Sequence, residues 1–265
     1  MNRWTLGRKN ILALDQLNKV TLMPHVSTIW RAADLFPIHR GELTGYAAFR
    51  PSSPNPDKRD FGAMLSLDVL TYPPGFASVG SYLQHDMEVL YYVQRGRLSF
   101  EAISNQPRVT QKGELTQGDM VLFSTGKGLV YHLKNAQPDQ NLDMICLWLL
   151  PQRLNLPPQT QTFRLQEREF CHEWVPYVVP AGQASTLSIN QDALVHVGAF
   201  GADRSVTYET TRPHHGTYLY VMEGEIIWHD QLLSARDALS IFEPERLQFY
   251  TQQATKLMLV EVPLR

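Results

Sequence analysis

The 265-residue sequence predicts an all-β protein that consists of two barrels in tandem. Short runs of β-branched, aromatic and aliphatic residues follow one another along the chain, and Gly, Asn and Pro residues separate them. Segments with helical periodicity are few and short. The same order of strands and turns also occurs twice, which indicates an internal repeat.

The predicted strands form two groups, one in each half of the chain. The first group covers residues 63–70, 89–93, 98–103, 120–123 and 144–150. The second group covers residues 193–200, 205–209, 218–222, 225–229, 238–242, 247–251 and 257–262. Many short strands at this spacing favour barrels or sandwiches over a fold in which strands and helices alternate.

Three matching pairs of segments define the repeat. Residues 92–98 (YVQRGRL) match 220–226 (YVMEGEI), 115–119 (LTQGD) match 233–237 (LSARD), and 147–151 (LWLLP) match 259–263 (LVEVP). Each half therefore contains a strand, a Gly turn, a strand, an Asp turn, a strand and a closing apolar strand. Two consecutive double-stranded β-helix barrels would produce this order.

The repeat also predicts the domain organisation. We expect an N-terminal extension at residues 1–26, a first barrel at 27–152 and a second barrel at 163–265. The segment between the barrels is rich in Pro, Gln and Asn, as is typical of a linker. Leu14 and Leu17 in the extension could form one face of a short helix that packs on a barrel.

The composition argues against several classes of partner and location. Charged residues make up 19% of the chain and the net charge is -2, so direct binding of nucleic acid or of an anionic membrane is not expected. The N-terminus has no secretion signal, and no apolar run approaches the ~18 residues of a membrane span. We therefore expect a cytoplasmic protein. The two cysteines, Cys146 and Cys171, are too few for a disulfide framework, and Cys146 lies in an apolar run typical of a reduced core thiol.

Residues 82–96 (YLQHDMEVLYYVQRG) form the most informative motif. The segment predicts a buried strand that ends in a Gly turn, and it resembles the first metal motif of the pirin family of bicupins, H-P-H-x-D-M-E-x-x-x-Y-V-x-x-G. When the two are aligned on the D-M-E triplet, Tyr82 and Gln84 stand where that family has its first two histidine ligands. Residues 124–133 (STGKGLVYHL) are similar to a second motif, A-G-x-G-x-x-H-S-E, and place Tyr131 and Leu133 at the remaining His and Glu ligands.

The resemblance extends over about residues 27–265, because residues 145–151 (ICLWLLP) are similar to the family's L-x-x-W-x-x-P strand and the second half is similar to its C-terminal cupin. It implies two tandem cupin barrels of the double-stranded β-helix, jelly-roll-like type. It also implies a quercetinase-type site, in which three imidazoles and one carboxylate hold Fe, Ni or a similar divalent ion. Phenols, an amide and a leucine stand at those four places here, so we expect no metal cofactor and no catalytic residue.

The leading hypothesis is therefore a non-catalytic, small-molecule-binding or regulatory protein. The former metal site would become a ligand pocket lined by Tyr82, Gln84, Glu88, Tyr131 and Leu133, suited to a small aromatic or carbonyl ligand. The alternative for these side chains is that they fill the barrel as ordinary core. The resemblance also allows a protein partner, because pirin relatives include transcriptional co-regulators.

A second hypothesis is that the protein is a metal-dependent enzyme. His85, Glu88 and His132 would form a relocated facial triad for Fe, Ni, Cu or Zn, and the protein would be a quercetin 2,3-dioxygenase-like oxidoreductase. A one-residue shift turns a strand side chain to the opposite face, so this site would need two β-bulges. A third hypothesis is a cofactor-free oxygenase or isomerase with Glu88 as base and a tyrosine as acid.

The second barrel offers no better metal site in the sequence. Thr210 and Arg212 match Tyr82 and Gln84, while Phe249 and Thr251 match Tyr131 and Leu133. The adjacent histidines at 214 and 215 should point in opposite directions if they lie on a strand, which makes a shared metal unfavourable.

Overall fold

A computed structural model describes residues 26–78, 82–105, 108–165, 172–182, 186–210 and 212–264. The backbones of Tyr82 and Asn105 belong to this set, whereas their side chains do not. The predicted helix in the N-terminal extension and Cys171 lie outside the described residues. No helix in these ranges is long and apolar enough to cross a membrane.

Within the described residues, the first half of the chain contributes twelve strands. They are β1 Ser27–Trp30, β2 Phe36–Arg40, β3 Leu43–Ala47, β4 Met64–Tyr72, β5 Tyr82–Gln84, β6 Glu88–Arg95, β7 Arg97–Asn105, β8 Arg108–Thr116, β9 Met120–Ser124, β10 Leu129–Asn135, β11 Leu142–Leu149 and β12 Gln159–Phe163. Two short 3-10 turns, Ala32–Asp34 and Pro56–Lys58, lie between the early strands.

Ten strands of the second half lie in the described ranges. They are β13 Trp174–Pro180, β14 Leu187–Ile189, β15 Leu194–Phe200, β16 Arg204–Glu209, β17 His215–Glu223, β18 Glu225–Trp228, β19 Gln231–Ser234, β20 Ala238–Phe242, β21 Arg246–Thr251 and β22 Thr255–Pro263. The all-β prediction is confirmed.

Each barrel consists of a seven-stranded sheet and a four-stranded sheet. In the first barrel the strand orders are β12-β9-β6-β11-β4-β3-β2 and β5-β10-β7-β8. In the second they are β1-β20-β17-β22-β15-β13-β14 and β16-β21-β18-β19. The two arrangements place corresponding strands at corresponding positions, as the sequence repeat predicts, and the tandem cupin fold is confirmed.

The large sheets are buried on both faces, which explains why their central strands are apolar without alternation. On β6, Val89 and Tyr91 face the interior of the first barrel, whereas Leu90 and Tyr92 face a core between the barrels. That inter-barrel core also contains buried residues of the second half, such as Tyr218. The described part of the chain therefore forms three hydrophobic cores: one inside each barrel and one between them.

One strand of the first half joins the second barrel. β1 pairs with β20, so the start of the predicted first barrel joins the large sheet of the second, and the Trp30 indole donates a 2.9 Å hydrogen bond to Ser240 Oγ. β12, at the end of the first half, pairs with β9 and extends the large sheet of the first barrel. The domain boundaries stay a prediction, and the pairing of β1 shows that a strand of the first half completes the large sheet of the second barrel.

The strand registers also fix which residues of the two barrels correspond. Cys146 lies opposite Tyr91 on β6, and Leu259 lies opposite Leu219 on β17. Tyr92 and Tyr220 both face the inter-barrel core, which makes Tyr91 the counterpart of Leu219. Cys146 therefore corresponds to Leu259, and our alignment of Leu147 with Leu259 was one residue out. A one-residue slip exchanges the two faces of a strand, so the correction matters for the site.

A candidate ligand cavity in the first barrel

A cavity of about 500 Å³ lies inside the first barrel. Its size is typical of small-molecule sites in proteins. Its walls are mostly aliphatic and aromatic, with a few polar and charged side chains. The lining residues are Ile38, Arg40, Leu43, Ala47, Phe49, Arg50, Pro51, Leu65, Ser66, Asp68, Leu70, Tyr72, Ser78, Gln84, Met87, Tyr91, Tyr131, Leu133, Cys146 and Trp148.

Three of the five predicted pocket residues line this cavity. They are Gln84 on β5 and Tyr131 and Leu133 on β10, and the pairing of those two strands brings them to one wall. The backbone of Tyr82 lies directly opposite Tyr131 in the same ladder, while its side chain is not described. The two family-like motifs thus meet in space, although they are about forty residues apart in the sequence.

Glu88 does not line the cavity, and its assignment to the pocket is corrected. It is the first residue of β6 and shares a face with Leu90 and Tyr92, which point into the inter-barrel core. Its carboxylate accepts a 2.6 Å hydrogen bond from Ser124 Oγ and a 3.0 Å bond from Asn190 Nδ2 of the second half. Burial raises the pKa of Glu88, and both hydrogen bonds oppose that shift. Glu88 therefore links the two halves.

The relocated metal triad is not formed. His85 is exposed and its ring packs over Gly128, while His132 lies on the outer face of β10 opposite Glu101. Glu88 is on yet another face, as described above. Within the described ranges, no three His, Cys, Asp or Glu side chains gather closely enough to hold a metal ion.

Asp68 on β4 is the principal cavity residue that sequence reasoning missed. Ser66 Oγ lies 2.5 Å from Asp68 Oδ1 and 3.2 Å from Phe49 O, and the Trp148 side chain also bonds to the Asp68 carboxylate. Burial raises the pKa of Asp68 to about 6, although Ser66, the Arg40 and Arg50 guanidiniums and Trp148 all act in the opposite direction. A carboxyl group that titrates near neutral pH in a cavity is a feature of functional sites.

The phenols of the cavity are neutral hydrogen-bonding groups. Tyr91 and Tyr131 hydroxyls lie 3.5 Å apart, and the Tyr131 ring stacks on Phe123 with centroids 4.4 Å apart. Burial raises the pKa of Tyr72, Tyr91 and Tyr131 above the usual range of tyrosine. Burial also raises the pKa of the Cys146 thiol, so this group is an uncharged thiol rather than a nucleophilic thiolate.

The residues of the cavity do not fit the metal that the resemblance implies. A quercetinase-type ion would need imidazole nitrogens, and no histidine is among the described lining residues. The one lining carboxylate, Asp68, is bonded to Ser66 and Trp148. An amide and phenols with raised pKa values are poor ligands for a first-row divalent ion at neutral pH.

The corresponding positions of the second barrel are mostly apolar. Leu219 and Leu259 take the places of Tyr91 and Cys146, and all four side chains are buried. Leu98 lies opposite Asn135 and its counterpart Ile226 lies opposite Thr251, so Phe249 takes the place of Leu133 and Leu247 that of Tyr131, two residues from our sequence alignment. Both Leu247 and Phe249 are buried. His196 takes the place of Asp68, because Asp68 lies opposite Cys146 and His196 lies opposite Leu259, the counterpart of Cys146. Burial lowers the pKa of His196 to about 4.

The other predicted positions of the second barrel have structural contacts. Thr210 Oγ1 donates to Pro244 O, Arg212 pairs with Asp192, and Thr251 Oγ1 donates a 2.7 Å bond to Gly201 O. The adjacent histidines point apart: His214 is exposed beside Glu243, and His215 is buried.

Comparison with known proteins agrees with this architecture. Residues 177–262 match the family profile of the quercetinase C-terminal cupin domain. A Pseudomonas aeruginosa protein provisionally named a quercetin 2,3-dioxygenase is 25% identical over 211 residues, which cover 78% of this chain and 87% of that protein. A pirin-like protein of Caulobacter vibrioides is 24% identical over 177 residues, covering 66% and 73% of the two chains.

Among solved structures, the Escherichia coli protein YhhW, described as a bacterial pirin in its nickel(II) complex, superposes with a TM-score of 0.81 at 17% identity. The alignment covers 91% of this chain and 100% of YhhW. Two β-barrels in one chain, each with a closing strand in the same register, define a bicupin. The family match and the curated relatives identify this chain as a pirin-like bicupin.

Proposed function

We propose that this pirin-like bicupin binds a small aromatic or carbonyl compound in the first-barrel cavity and does so without a metal ion. The observation that carries the proposal is a cavity at the family's site whose lining contains no imidazole among the described residues. The barrel is hollow at this place, so the alternative of a solidly packed core is disfavoured.

The character of the lining supports ligand binding. Aromatic side chains, among them Tyr72, Tyr131 and Trp148, offer flat apolar surface, and their polar ends offer a few hydrogen bonds. This mixture of apolar walls with a small number of placed polar groups is typical of specific small-molecule sites. The dioxygenase alternative has less support, because His85 and His132 do not reach the cavity.

The first experiment is elemental analysis of the purified, tag-free protein before and after incubation with Fe(II), Ni(II), Cu(II) and Zn(II). We expect far less than one equivalent of specifically bound metal. Near-stoichiometric metal that is lost in His85→Ala or His132→Ala would overturn the metal-free proposal.

A gain-of-binding variant tests whether metal binding can be restored at the same position. Tyr82→His, Gln84→His, Tyr131→His and Leu133→Glu together restore the donor types of the family motif, and we expect this variant to take up Ni(II). A matched control introduces histidines at Leu83 and Val130, one residue away on the opposite strand faces, and should stay metal-poor. Equal uptake by both variants would show that the position is not a latent metal site.

Ligand binding is tested by thermal shift with a panel of small aromatic and carbonyl compounds. Compounds that stabilise the protein should lose at least about tenfold in affinity in Gln84→Leu combined with Tyr131→Leu, because the hydrogen bonds of both side chains are removed. Val130→Ala, on the outer face of β10, serves as control. Unchanged affinity in the cavity variant would exclude this cavity as the binding site.

A further inference from the structure

The cavity that the proposed function uses has an unusual balance of charge. Among its described lining residues, the ionic side chains are Arg40, Arg50 and Asp68. Two guanidiniums therefore face one carboxyl group, and burial favours the neutral form of that group. The lining thus carries a net positive charge at neutral pH, in a molecule whose overall charge is -2.

The Arg40 guanidinium attracts the Asp68 carboxylate but has no hydrogen-bonded partner among the described residues. It makes no hydrogen bond or ion pair with any residue in the described ranges, and it lies on an exposed strand end at the rim of the cavity. Arg50 is partly engaged, because it donates a 3.2 Å bond to Pro37 O and lies 4.9 Å from the centre of the Phe36 ring. The planar guanidinium of an arginine can donate two parallel hydrogen bonds to a carboxylate, so the rim of the cavity offers an anion site with free donors.

The remaining polar groups are also mainly donors. The cavity presents the phenol hydroxyls of three tyrosines, the Ser78 hydroxyl and the Gln84 amide, whereas the Trp148 and Ser66 donors are bonded to Asp68. Raised pKa values keep the phenols protonated, so they donate to an oxygen acceptor rather than accept a cation. A donor-rich, positively charged, aromatic cavity suits an anion with a flat body.

We propose that the ligand of this cavity is an aromatic carboxylate, with its carboxylate at Arg40 and Arg50 and its ring between the aromatic walls. The proposal rests on the proposed function and narrows it to one class of compound. Neutral flat compounds of the same size would lack the ionic contact and bind more weakly.

Asp68 gives the proposal a second signature, which is uptake of a proton. The groups that face it are Ser66 and Tyr72 of β4, Cys146 and Trp148 of β11, and the Arg40 and Arg50 guanidiniums. A ligand carboxylate at the guanidiniums weakens their attraction for the Asp68 carboxylate and therefore favours its protonation. The Ser66 hydroxyl has one hydrogen but contacts two acceptors, Phe49 O and Asp68; both contacts are satisfied when Asp68 carries the proton.

The test compares trans-cinnamate with cinnamamide, its neutral analogue, by isothermal titration calorimetry on the full chain. We expect cinnamate to bind at least about tenfold more tightly, since a charge-assisted pair is involved. Arg40→Gln with Arg50→Gln should abolish the difference, and Arg153→Gln, at an exposed loop position, should preserve it. At pH 6.5, titrations in buffers of different ionisation enthalpy should reveal proton uptake that Asp68→Asn removes.

The outcomes separate this inference from the proposed function. If both compounds bind equally and Tyr131→Leu weakens both, the cavity binds ligands but the carboxylate preference is wrong. If cinnamate binding persists in the double arginine variant, the assigned anion site is wrong. If neither compound nor any member of the neutral panel binds, the inference and the proposed function both fail.

Discussion

The two barrels have the same strands in the same order, yet their interiors differ in chemical character. The first places Tyr91, Tyr131 and Cys146 where the second places Leu219, Leu247 and Leu259. The repeat thus preserves the residues that make turns and sheets, while the inward-facing positions have diverged. The candidate site lies in the first barrel because polar groups and a cavity coincide there.

Both barrels nevertheless bury an ionisable group at the corresponding place on β4 and β15. Asp68 in the first barrel and His196 in the second both titrate outside their ordinary range, and burial is the first cause in each. Burial favours the neutral form of either group. The shifts therefore have opposite directions, upward for the acid and downward for the base.

The largest expected contrast is between two aromatic truncations. Phe249→Ala removes a fully buried ring from a close-packed core and should cost about 3–5 kcal/mol of unfolding free energy. Tyr131→Ala enlarges a cavity that already exists, so we expect a cost at least about 1 kcal/mol smaller. Urea unfolding of both variants measures the difference, and equal costs would indicate that the first barrel is packed like the second.

The opposite pKa shifts predict opposite dependence of stability on pH. The folded state binds the Asp68 proton more tightly than the unfolded state does. The contribution of this group to the free energy of unfolding is therefore lost as pH rises from about 4 to about 6. For His196, stability is lost as pH falls from about 6.5 to about 4, because the unfolded chain then binds the extra proton.

Urea unfolding at pH 4.5 and 7.5 tests these signs. Relative to the natural protein, Asp68→Asn should gain roughly 2 kcal/mol on going from pH 4.5 to 7.5, and His196→Leu should lose roughly as much. Two variants with parallel pH dependence would contradict the assigned burial of one group.

A smaller contrast concerns the contact between the barrels. Glu88 at the start of β6 bonds to Asn190, whereas Gly216, its counterpart on β17, leaves room for the Phe61 ring. Asn190→Ala should cost about 1 kcal/mol, because Glu88 loses the side-chain amide donor but keeps the Ser124 hydroxyl and the backbone N–H of residue 190. Gly216→Ala should cost a similar amount, since its Cβ would lie 2.5 Å from the Phe61 ring. Melting curves check both, and a cost in only one variant would show that one side of the interface dominates.

The sequence was sufficient to predict the fold and part of the site. Turn residues and strand periodicity predict the tandem barrels, and the motif alignment predicts that Gln84, Tyr131 and Leu133 share a wall. It did not predict that Glu88 faces away. The backbone of Asp86 adopts a φ of 50°, which interrupts the strand between Gln84 and Glu88 and changes the phase of the alternation.

The missed residues depend on tertiary contacts that local patterns do not contain. Asp68 is a single polar residue in an apolar strand, and its partners Trp148 and Arg40 come from distant segments. Alternation within residues 63–70 could have marked Ser66 and Asp68 as one face. The pairing of β1 with β20 and of β12 with β9 has no local signal, because an amphipathic edge strand can pair with either sheet.

The pairing of β1 with β20 has a consequence for the order of events on the ribosome. Trp30 and its partner Ser240 are 210 positions apart, and synthesis at about 5–20 residues per second separates them by roughly 10–40 s. Throughout this interval β1 has been made but its partner β20 has not. The second sheet therefore gains β1 only after a strand far along the chain has been synthesised.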